Sequence, residues 1–425
     1  MAPNMFVITF DRPGATYLPG ENISGCVTIA LSEKKSARDL YIHLKGEARV
    51  HWTISESSKD IDGNDTSSTQ HHSATEKYFS MKQSLLRRST EIDRIELPEG
   101  ESTYYFSFQI PINIPCSFEH STGYIRYTAK AIVDIPWKFN WWTKSAFTVV
   151  TPYDLNTFSD QCMGIDDEIS KDFSCCCFKK GSLNVRIKIP NLGYVPGQFI
   201  TIEVISNLKS SNIQIIGITT KLIEELTFHA HGSTETKQIV IKKNKSQGPI
   251  KNYHETKLNL YVPSLPPSNL EHCGIIELKY RLHVVIHFNG MHKKIDKIYP
   301  ILIGTIPLNT SPLTEWTPTN DTRPTAPIID EEPSISTSIK PVPVHGHTES
   351  PERRTDLPGT SQPNFNKFQL PNQPVGWNME PPSYEECTQR ADNIKDSDDS
   401  NSVYGADQPF APRYPVFNFM YYRST

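Results

Sequence analysis

Residues 40–52 read LYIHLKGEARVHW, and this stretch decides the fold class. Apolar or small residues occupy the even positions from Leu40 to Trp52, whereas the odd positions carry mostly charged or histidine side chains. Alternation with period two predicts a β-strand with one buried face. The pattern returns in residues 276–288, with shorter versions at 23–31, 125–133 and 185–189. Because Gly, Pro and Asn separate these runs, the sequence predicts an all-β antiparallel sandwich.

The body of the chain repeats itself. The tetrapeptide YLPG at 17–20 precedes one strand, and YVPG at 194–197 precedes another, 177 residues later. A second similarity, between 106–127 and 260–280, has an offset of only 152, so the first copy is the longer one. We therefore predict two tandem sandwich domains, at 1–157 and 181–308, joined by a Cys-rich connector at 158–180.

The last part of the chain has a different composition. Residues 312–425 hold 17 of the 33 prolines, and Leu, Ile, Val and Phe make up only 16% of them. That share is below the roughly 20% typical of segments that fold on their own, which predicts a disordered Pro-rich tail at 309–425. The same 114 residues carry 16 acids and 9 bases, so the body is left with a net charge of +3. These values exclude one large globular enzyme and a strongly basic nucleic-acid binder.

Sequence features also bear on localisation. The first ten residues have neither a basic stretch nor an apolar run, and no segment approaches the ~20 apolar residues of a membrane span. The eight cysteines have unrelated spacings except at 175–177, which does not suggest a disulfide framework. We therefore expect a cytoplasmic protein.

Several motifs in this order resemble the arrestin-domain-containing proteins, the α-arrestins. They are the two Tyr-x-Pro-Gly turns, PYDLN at 152–156, the Cys cluster and ILIGTIPL at 301–308. The resemblance covers residues 5–308 and implies two immunoglobulin-like sandwiches in tandem. It also implies a non-enzymatic adaptor without a cofactor, which links membrane cargo proteins to a ubiquitin ligase for endocytosis and protein transport.

The tail contains a PPxY sequence, formed by Pro381, Pro382 and Tyr384. WW domains bind such peptides as polyproline II helices, with the Tyr ring in a second pocket. The alternative is a Pro-rich spacer with an incidental Tyr. The resemblance favours binding to a WW-domain HECT-type E3 ligase, because α-arrestins carry this motif after the second domain. Pro412 and Tyr414 belong to a degenerate copy that lacks the first Pro.

A second tail motif is PTAP, formed by Pro324, Thr325, Ala326 and Pro327. Such motifs dock in extended form in the UEV domain of ESCRT-I, and the alternative is again a spacer. If both motifs act, we expect ubiquitinated cargo to follow the endosomal route. The protein would then be recruited from the cytoplasm to the plasma membrane and endosomes.

The polar sides of the predicted strands carry basic residues. Lys45, Arg49, Arg126 and Lys130 lie on first-domain strands. Arrestins generally use such a face to receive an acidic or phosphorylated cargo tail, so we predict a cargo-binding basic face here. The simpler alternative is an ordinary solvated sheet surface.

Cys175, Cys176 and Cys177 precede Phe178 and two lysines. Adjacent cysteines do not have the spacing of zinc ligands, and no HExxH pattern accompanies the histidines, so we predict no metal site. A candidate S-acylation cluster is physically better, with an inert thiol-rich linker as the alternative.

The aromatic run at 137–142 has two interpretations. Trp137, Phe139 and Trp141 alternate on one strand face and are predicted to be core. Trp142, beside Lys144, is a candidate interfacial anchor, which would give peripheral membrane association.

Two other functions are also compatible with the sequence. One α-arrestin branch binds thioredoxin through a second-domain cysteine, and Cys273 is the only candidate here. The other is a cargo-sorting subunit resembling the retromer arrestin-fold protein, in which the tail would contribute little.

Overall fold

The computed structural model describes residues 2–59, 65–86, 94–137, 139–175, 178–210, 212–309, 391–396, 399 and 403–417. All of them belong to one compact unit. The PTAP and PPxY motifs lie outside the described residues.

The first domain is built from β-strands, with a 3₁₀ turn at Pro13–Ala15. Its strands are β1 (Met5–Phe10), β2 (Thr16–Tyr17), β3 (Asn22–Leu31), β4 (Lys35–Ala37), β5 (Asp39–Lys59), β6 (Asp65–Ser84), β7 (Ile95–Leu97), β8 (Gly100–Gln109), β9 (Phe118–His120), β10 (Gly123–Asp134) and β11 (Trp141–Val149).

Two layers enclose the first core. One sheet has the order β1-β3-β8, and the other has the order β2-β11-β10-β5-β6, with β9 added beside β10. The predicted alternation is confirmed in β5, where Leu40, Ile42 and Leu44 are fully buried. The same strand sends Lys45 to the opposite, polar face, which is the face that matters for the site.

The second domain repeats the arrangement, with 3₁₀ segments at Leu155–Cys162 and Ser268–Leu270. Its sheets have the orders β12-β13-β15-β18 and β14-β20-β19-β16-β17. The strands are β12 (Met163–Cys175), β13 (Phe178–Asn191), β14 (Gly193–Tyr194), β15 (Phe199–Lys209), β16 (Ile215–Ala230), β17 (Ser233–Ile250), β18 (Asn252–Tyr261), β19 (Ile276–Phe288) and β20 (Ile295–Ile303).

Equivalent contacts confirm the predicted repeat. Each Tyr-x-Pro-Gly turn follows a two-residue strand that runs parallel to the last long strand of its domain, β2 beside β11 and β14 beside β20. Tyr127 donates a hydrogen bond to the Pro115 carbonyl at 2.7 Å, and Tyr280 donates to the Pro266 carbonyl at 2.9 Å. In both domains a buried Tyr on the central strand therefore fixes the preceding Pro-rich loop.

The predicted connector at 158–180 is largely strand. β12 pairs with β13 along most of its length, so it belongs to the second domain. Ile165 and Ile169 pack against the core, while Asp166 and Glu168 between them face outward. The exposed side of this edge strand is rich in charge, which resembles linker composition and is the reason why the sequence predicts a connector here.

The predicted disordered tail also needs correction at its end. Residues 391–396, 399 and 403–417 pack on the body, and β21 (Val403–Tyr404) runs parallel to β11. We call the described residues among 391–417 the C-terminal segment. Ile394, Val403 and Ala406 are buried in it, so apolar contacts and strand pairing both hold it.

Two of the three aromatic residues predicted as core are at the surface. Trp137 and Phe139 are 95% and 91% exposed. The reason is that β10 ends at Asp134, so these residues form a turn rather than a strand face. Trp142 lies within β11, with the Lys130 ammonium 5.3 Å from its ring centre. In the described part of the chain, no helix is long and apolar enough to cross a membrane.

Candidate functional site

Three lysines from neighbouring strands meet on the polar face of the first domain. Lys130 in β10 lies directly opposite Lys144 in β11, and Lys45 projects from β5 on the other side of β10. Like charges placed directly opposite one another on a sheet destabilise it unless an anion lies between them. The register therefore creates a site that requires negative charge, which we call the lysine cluster (Lys45, Lys130 and Lys144).

The C-terminal segment supplies this charge. Asp399 contacts Lys130 at 2.5 Å and Lys144 at 2.8 Å. Asp396 contacts Lys144 at 2.7 Å and Lys45 at 3.4 Å. Lys45 also pairs with Glu47 at 2.8 Å, so three cations face three carboxylates. Without the segment, the cluster and Glu47 would carry a net charge of +2.

Asp399 is held as a carboxylate. Burial raises the pKa of its carboxyl group, but the Asp396 backbone N–H and the two lysines outweigh burial and lower the pKa to about 2. The Asp396 N–H donates to the Asp399 carboxylate at 2.9 Å. Charge-assisted hydrogen bonds of this kind are stronger than neutral ones.

The segment continues to the second domain. The Tyr414 hydroxyl donates to the Ser117 carbonyl at 2.9 Å, and Ser264 donates to the Tyr414 carbonyl at 3.3 Å. The Phe417 N–H donates to the Pro196 carbonyl at 2.9 Å. Because Ser117 is in the first domain and Ser264 in the second, the segment bridges the two sandwiches.

This position affects the degenerate WW-domain site. Tyr414 is 4% exposed and belongs to the hydrophobic core. Ala411, which precedes Pro412, lines a cavity together with Phe410. A WW domain needs the Tyr ring in its own pocket, so Tyr414 is not accessible to one while the segment is packed.

The predicted basic face is only partly brought together. Lys45 and Lys130 join the cluster, whereas Arg126 forms a buried two-point ion pair with Glu119, at 2.6 Å and 2.7 Å. Arg49 lies opposite Tyr124, farther along β5. Sequence reasoning missed Lys144, because its alignment with Lys130 depends on the hairpin register. It also missed Asp396 and Asp399, although the acidic run at 396–399 was a usable signal.

The other candidate sites from the sequence are the cysteine cluster and a possible metal site. Cys175 ends β12, and the side chains of residues 175–180 are outside the described part. His229 contacts Glu277 at 3.1 Å across the sheet. Among the described residues, no group of three or more His, Cys, Asp or Glu is arranged to hold a metal ion.

Cys273 does not have the environment of a reactive thiol. Burial raises the pKa of its thiol above the ordinary value. Because the thiolate is the nucleophile, a raised pKa disfavours attack on a disulfide at neutral pH. The raised thiol pKa therefore gives the thioredoxin hypothesis no support.

Comparisons with known proteins agree with the fold. Residues 6–156 match the family described as arrestin (or S-antigen), N-terminal domain, and residues 179–308 match its C-terminal domain. The chain is 30% identical over 325 residues to arrestin domain-containing protein 17 of Caenorhabditis elegans. The aligned residues cover 71% of this chain and 70% of that protein.

Two mammalian proteins are similar over a comparable length. Arrestin domain-containing protein 4 of Homo sapiens is 26% identical over 302 residues, covering 70% of each chain. Arrestin domain-containing protein 1 of Rattus norvegicus is 25% identical over 312 residues, covering 73% of this chain and 66% of its own. With both domain matches in order, the chain belongs to the arrestin-domain-containing (α-arrestin) family of non-catalytic, adaptor-type proteins.

Proposed function

We propose that this protein is an adaptor for ubiquitin-dependent transport of membrane proteins. The lysine cluster binds an acidic or phosphorylated cytosolic segment of an integral membrane cargo protein. Tyr384 and its two prolines recruit a WW-domain HECT-type E3 ligase, and the PTAP motif recruits the UEV subunit of ESCRT-I. The adaptor works from the cytoplasm and is recruited to the plasma membrane and endosomes.

One observation carries the cargo part of this proposal: the lysine cluster is occupied by an acidic peptide from the same chain. Asp399 lies within 2.8 Å of both Lys130 and Lys144. A phosphoserine carries nearly two negative charges and three acceptor oxygens, which matches the net +2 that the segment neutralises. A cargo peptide of this chemistry therefore competes with the chain's own segment for the cluster.

The proposed contacts of the tail with the ligase and with ESCRT-I rest on sequence motifs. The PPxY and PTAP motifs are separated by 53 residues, 328–380. A flexible linker of that length spans about 40 Å root-mean-square, so two folded partners have room to bind together. Tethering a ligase to bound cargo raises their effective concentration, which is how an adaptor accelerates ubiquitination without chemistry of its own. S-acylation of Cys175, Cys176 and Cys177 would add a lipid anchor, and remains a separate proposal.

The ligase arm is tested by pull-down of the full chain with a WW-domain HECT ligase. We expect Tyr384→Ala to abolish binding, because the ring fills the second WW pocket. Thr388→Ala, four residues away, is the matched control and should bind normally. Equal binding by both variants would remove the ligase from the proposal.

The cargo arm needs a defined probe. We choose a fluorescent peptide of residues 392–400 phosphorylated at Ser397 and Ser400, and measure its polarisation with the full chain carrying Asp399→Asn, so that the chain's own segment does not compete for the cluster. Lys130→Ala should weaken binding at least fivefold, since one charge-assisted contact is lost. Lys188→Ala, on the second domain, is the control. If the two variants bind the peptide equally, the lysine cluster is not the peptide site.

A further inference from the structure

The turn between β10 and β11 exposes two large aromatic rings. We call residues 135–141 the aromatic tip. Trp137 is 95% exposed and Phe139 is 91% exposed. Burying one such ring normally stabilises a protein by ~2–3 kcal/mol, so exposure of two neighbouring rings is an informative exception.

The tip is held in this conformation from both sides. Ile135 is buried, and its N–H donates to the Asn140 side-chain oxygen at 3.0 Å. The Asp134 carbonyl accepts a hydrogen bond from the Arg38 N–H at 2.7 Å. Trp137 itself has φ of +59°, a region that bulky residues rarely adopt. The fixed turn therefore keeps the rings directed away from the domain in the folded state.

The tip is also far from the contacts between the two domains. β10 begins at Gly123, next to His120, whose ring stacks on Phe228 of the second domain at 5.3 Å. The strand then runs for 12 residues, which is about 40 Å, before it reaches the tip. Neither the second domain nor the lysine cluster covers the rings.

Charge and shape indicate the partner. Residues 135–143 read IPWKFNWWT, with one lysine and no acid, which complements an anionic surface. Arg38, exposed beside the turn, adds a second cation, although it also lies 3.8 Å from Asp134. Trp is enriched at the interface between lipid headgroups and acyl chains, where its amphipathic ring is at its most stable. Projecting rings on a turn fit a deformable bilayer better than a preformed groove.

We propose that the aromatic tip is a membrane-docking site, which inserts Trp137 and Phe139 into the interfacial layer of an anionic phospholipid bilayer. The aromatic tip takes the place of Trp142 as the candidate membrane anchor, because the Lys130 ammonium lies over the Trp142 ring in the sheet. The inference extends the proposed function by giving the adaptor a direct contact with the membrane that holds its cargo. It requires neither ligase nor cargo, so the two proposals can fail separately.

The test is co-sedimentation of the full chain with phosphatidylcholine vesicles containing one-fifth phosphatidylserine. Trp137→Ala with Phe139→Ala should lower the partition coefficient at least tenfold, since two rings leave the interface. Tyr105→Ala is the matched control, because this ring is 76% exposed on β8, away from the tip. Pure phosphatidylcholine should bind about fivefold more weakly, as expected for one net positive charge near the surface, because Asp134 offsets the charge of Arg38.

A second measurement identifies the inserted ring. Vesicles with brominated acyl chains should quench part of the tryptophan fluorescence of the wild type. Trp137→Phe should keep most of the binding but lose that quenching, whereas Trp52→Phe, a buried position, should lose none of it. If the wild type does not sediment with either kind of vesicle, or if the double variant binds as well as Tyr105→Ala, the proposal is overturned.

Discussion

Lys144 Nζ lies 2.8 Å from Asp399 Oδ2, and each side chain is only 1% exposed, although 255 residues separate them in the chain. Removing one partner of a buried ion pair leaves a desolvated charge, at a cost of about 3–5 kcal/mol if nothing else moves. In this protein the C-terminal segment can detach, and water then reaches Lys144. The cost of breaking the pair is therefore limited to the free energy of docking the segment.

We predict that Asp399→Asn releases the C-terminal segment and leaves the two sandwiches folded. The amide cannot neutralise Lys130 and Lys144, so their repulsion returns. Hydrogen exchange in residues 403–417 should accelerate at least tenfold, with little change in β5 or β10. Asp407→Asn is the control, because Asp407 is 68% exposed and pairs with Lys395 within the segment rather than with the lysine cluster. Unchanged protection in Asp399→Asn would contradict the assigned role of this carboxylate.

Docking of the segment should not respond to mild acidification. The pKa of Asp399 is about 2 when docked, below the ordinary value of 3.8. A group whose folded pKa is lowered contributes stability that is complete above the ordinary pKa and is lost as pH falls through the lowered one. Protection of residues 403–417 should thus be equal at pH 7 and pH 5, and fall between about pH 4 and pH 2. Release already at pH 5 would show that another group controls docking.

Gly405 should be as important for docking as the charges. Its φ is +76°, and an added Cβ would lie 2.5 Å from the Lys144 carbonyl oxygen, beside β21. Gly405→Ala therefore adds both backbone strain and a clash, and should detach β21 without altering any charge. Gly290→Ala is the matched control, with φ of +66° and no atom within 4 Å of the added group. Limited proteolysis should cut near residue 404 faster in the first variant only.

The sequence predicted the body well and the end of the tail poorly. Period-two alternation, as in Leu40–Trp52, was enough to place strands and faces, because burial on one side of a sheet imposes that pattern. The repeated Tyr-x-Pro-Gly turns were enough to reveal two domains. Two of the three lysines in the cluster, Lys45 and Lys130, could be placed on the polar face from the alternation within their strands. Lys144 could not, because its position depends on the β10–β11 register.

The C-terminal segment was missed for a compositional reason. Averaging over residues 312–425 concealed a local change, because residues 403–422 contain seven aromatic residues, among them Phe410, Tyr414 and Phe417. Such a run can bury enough apolar surface to dock, even when the average of the region is typical of disorder. A sliding window would have separated it from the Pro-rich stretch before it. No such signal marks the turn that exposes Trp137, because large aromatic residues continue to alternate with polar ones from Trp137 to Trp141.

Tyr414 gives the sharpest test of how the segment bridges the two domains. Its hydroxyl donates to the buried Ser117 carbonyl at 2.9 Å, and its ring is 4% exposed. Tyr414→Phe removes the hydrogen bond but keeps the ring, and should weaken docking by about 1 kcal/mol, or roughly fivefold faster exchange in residues 411–417. Tyr414→Ala also leaves a cavity and should cost about 3–5 kcal/mol, enough to free the end of the segment. Tyr404→Phe, at a 42% exposed ring, is the control and should change little. If Tyr414→Ala exchanges like the wild type, the ring does not hold the segment against the two sandwiches.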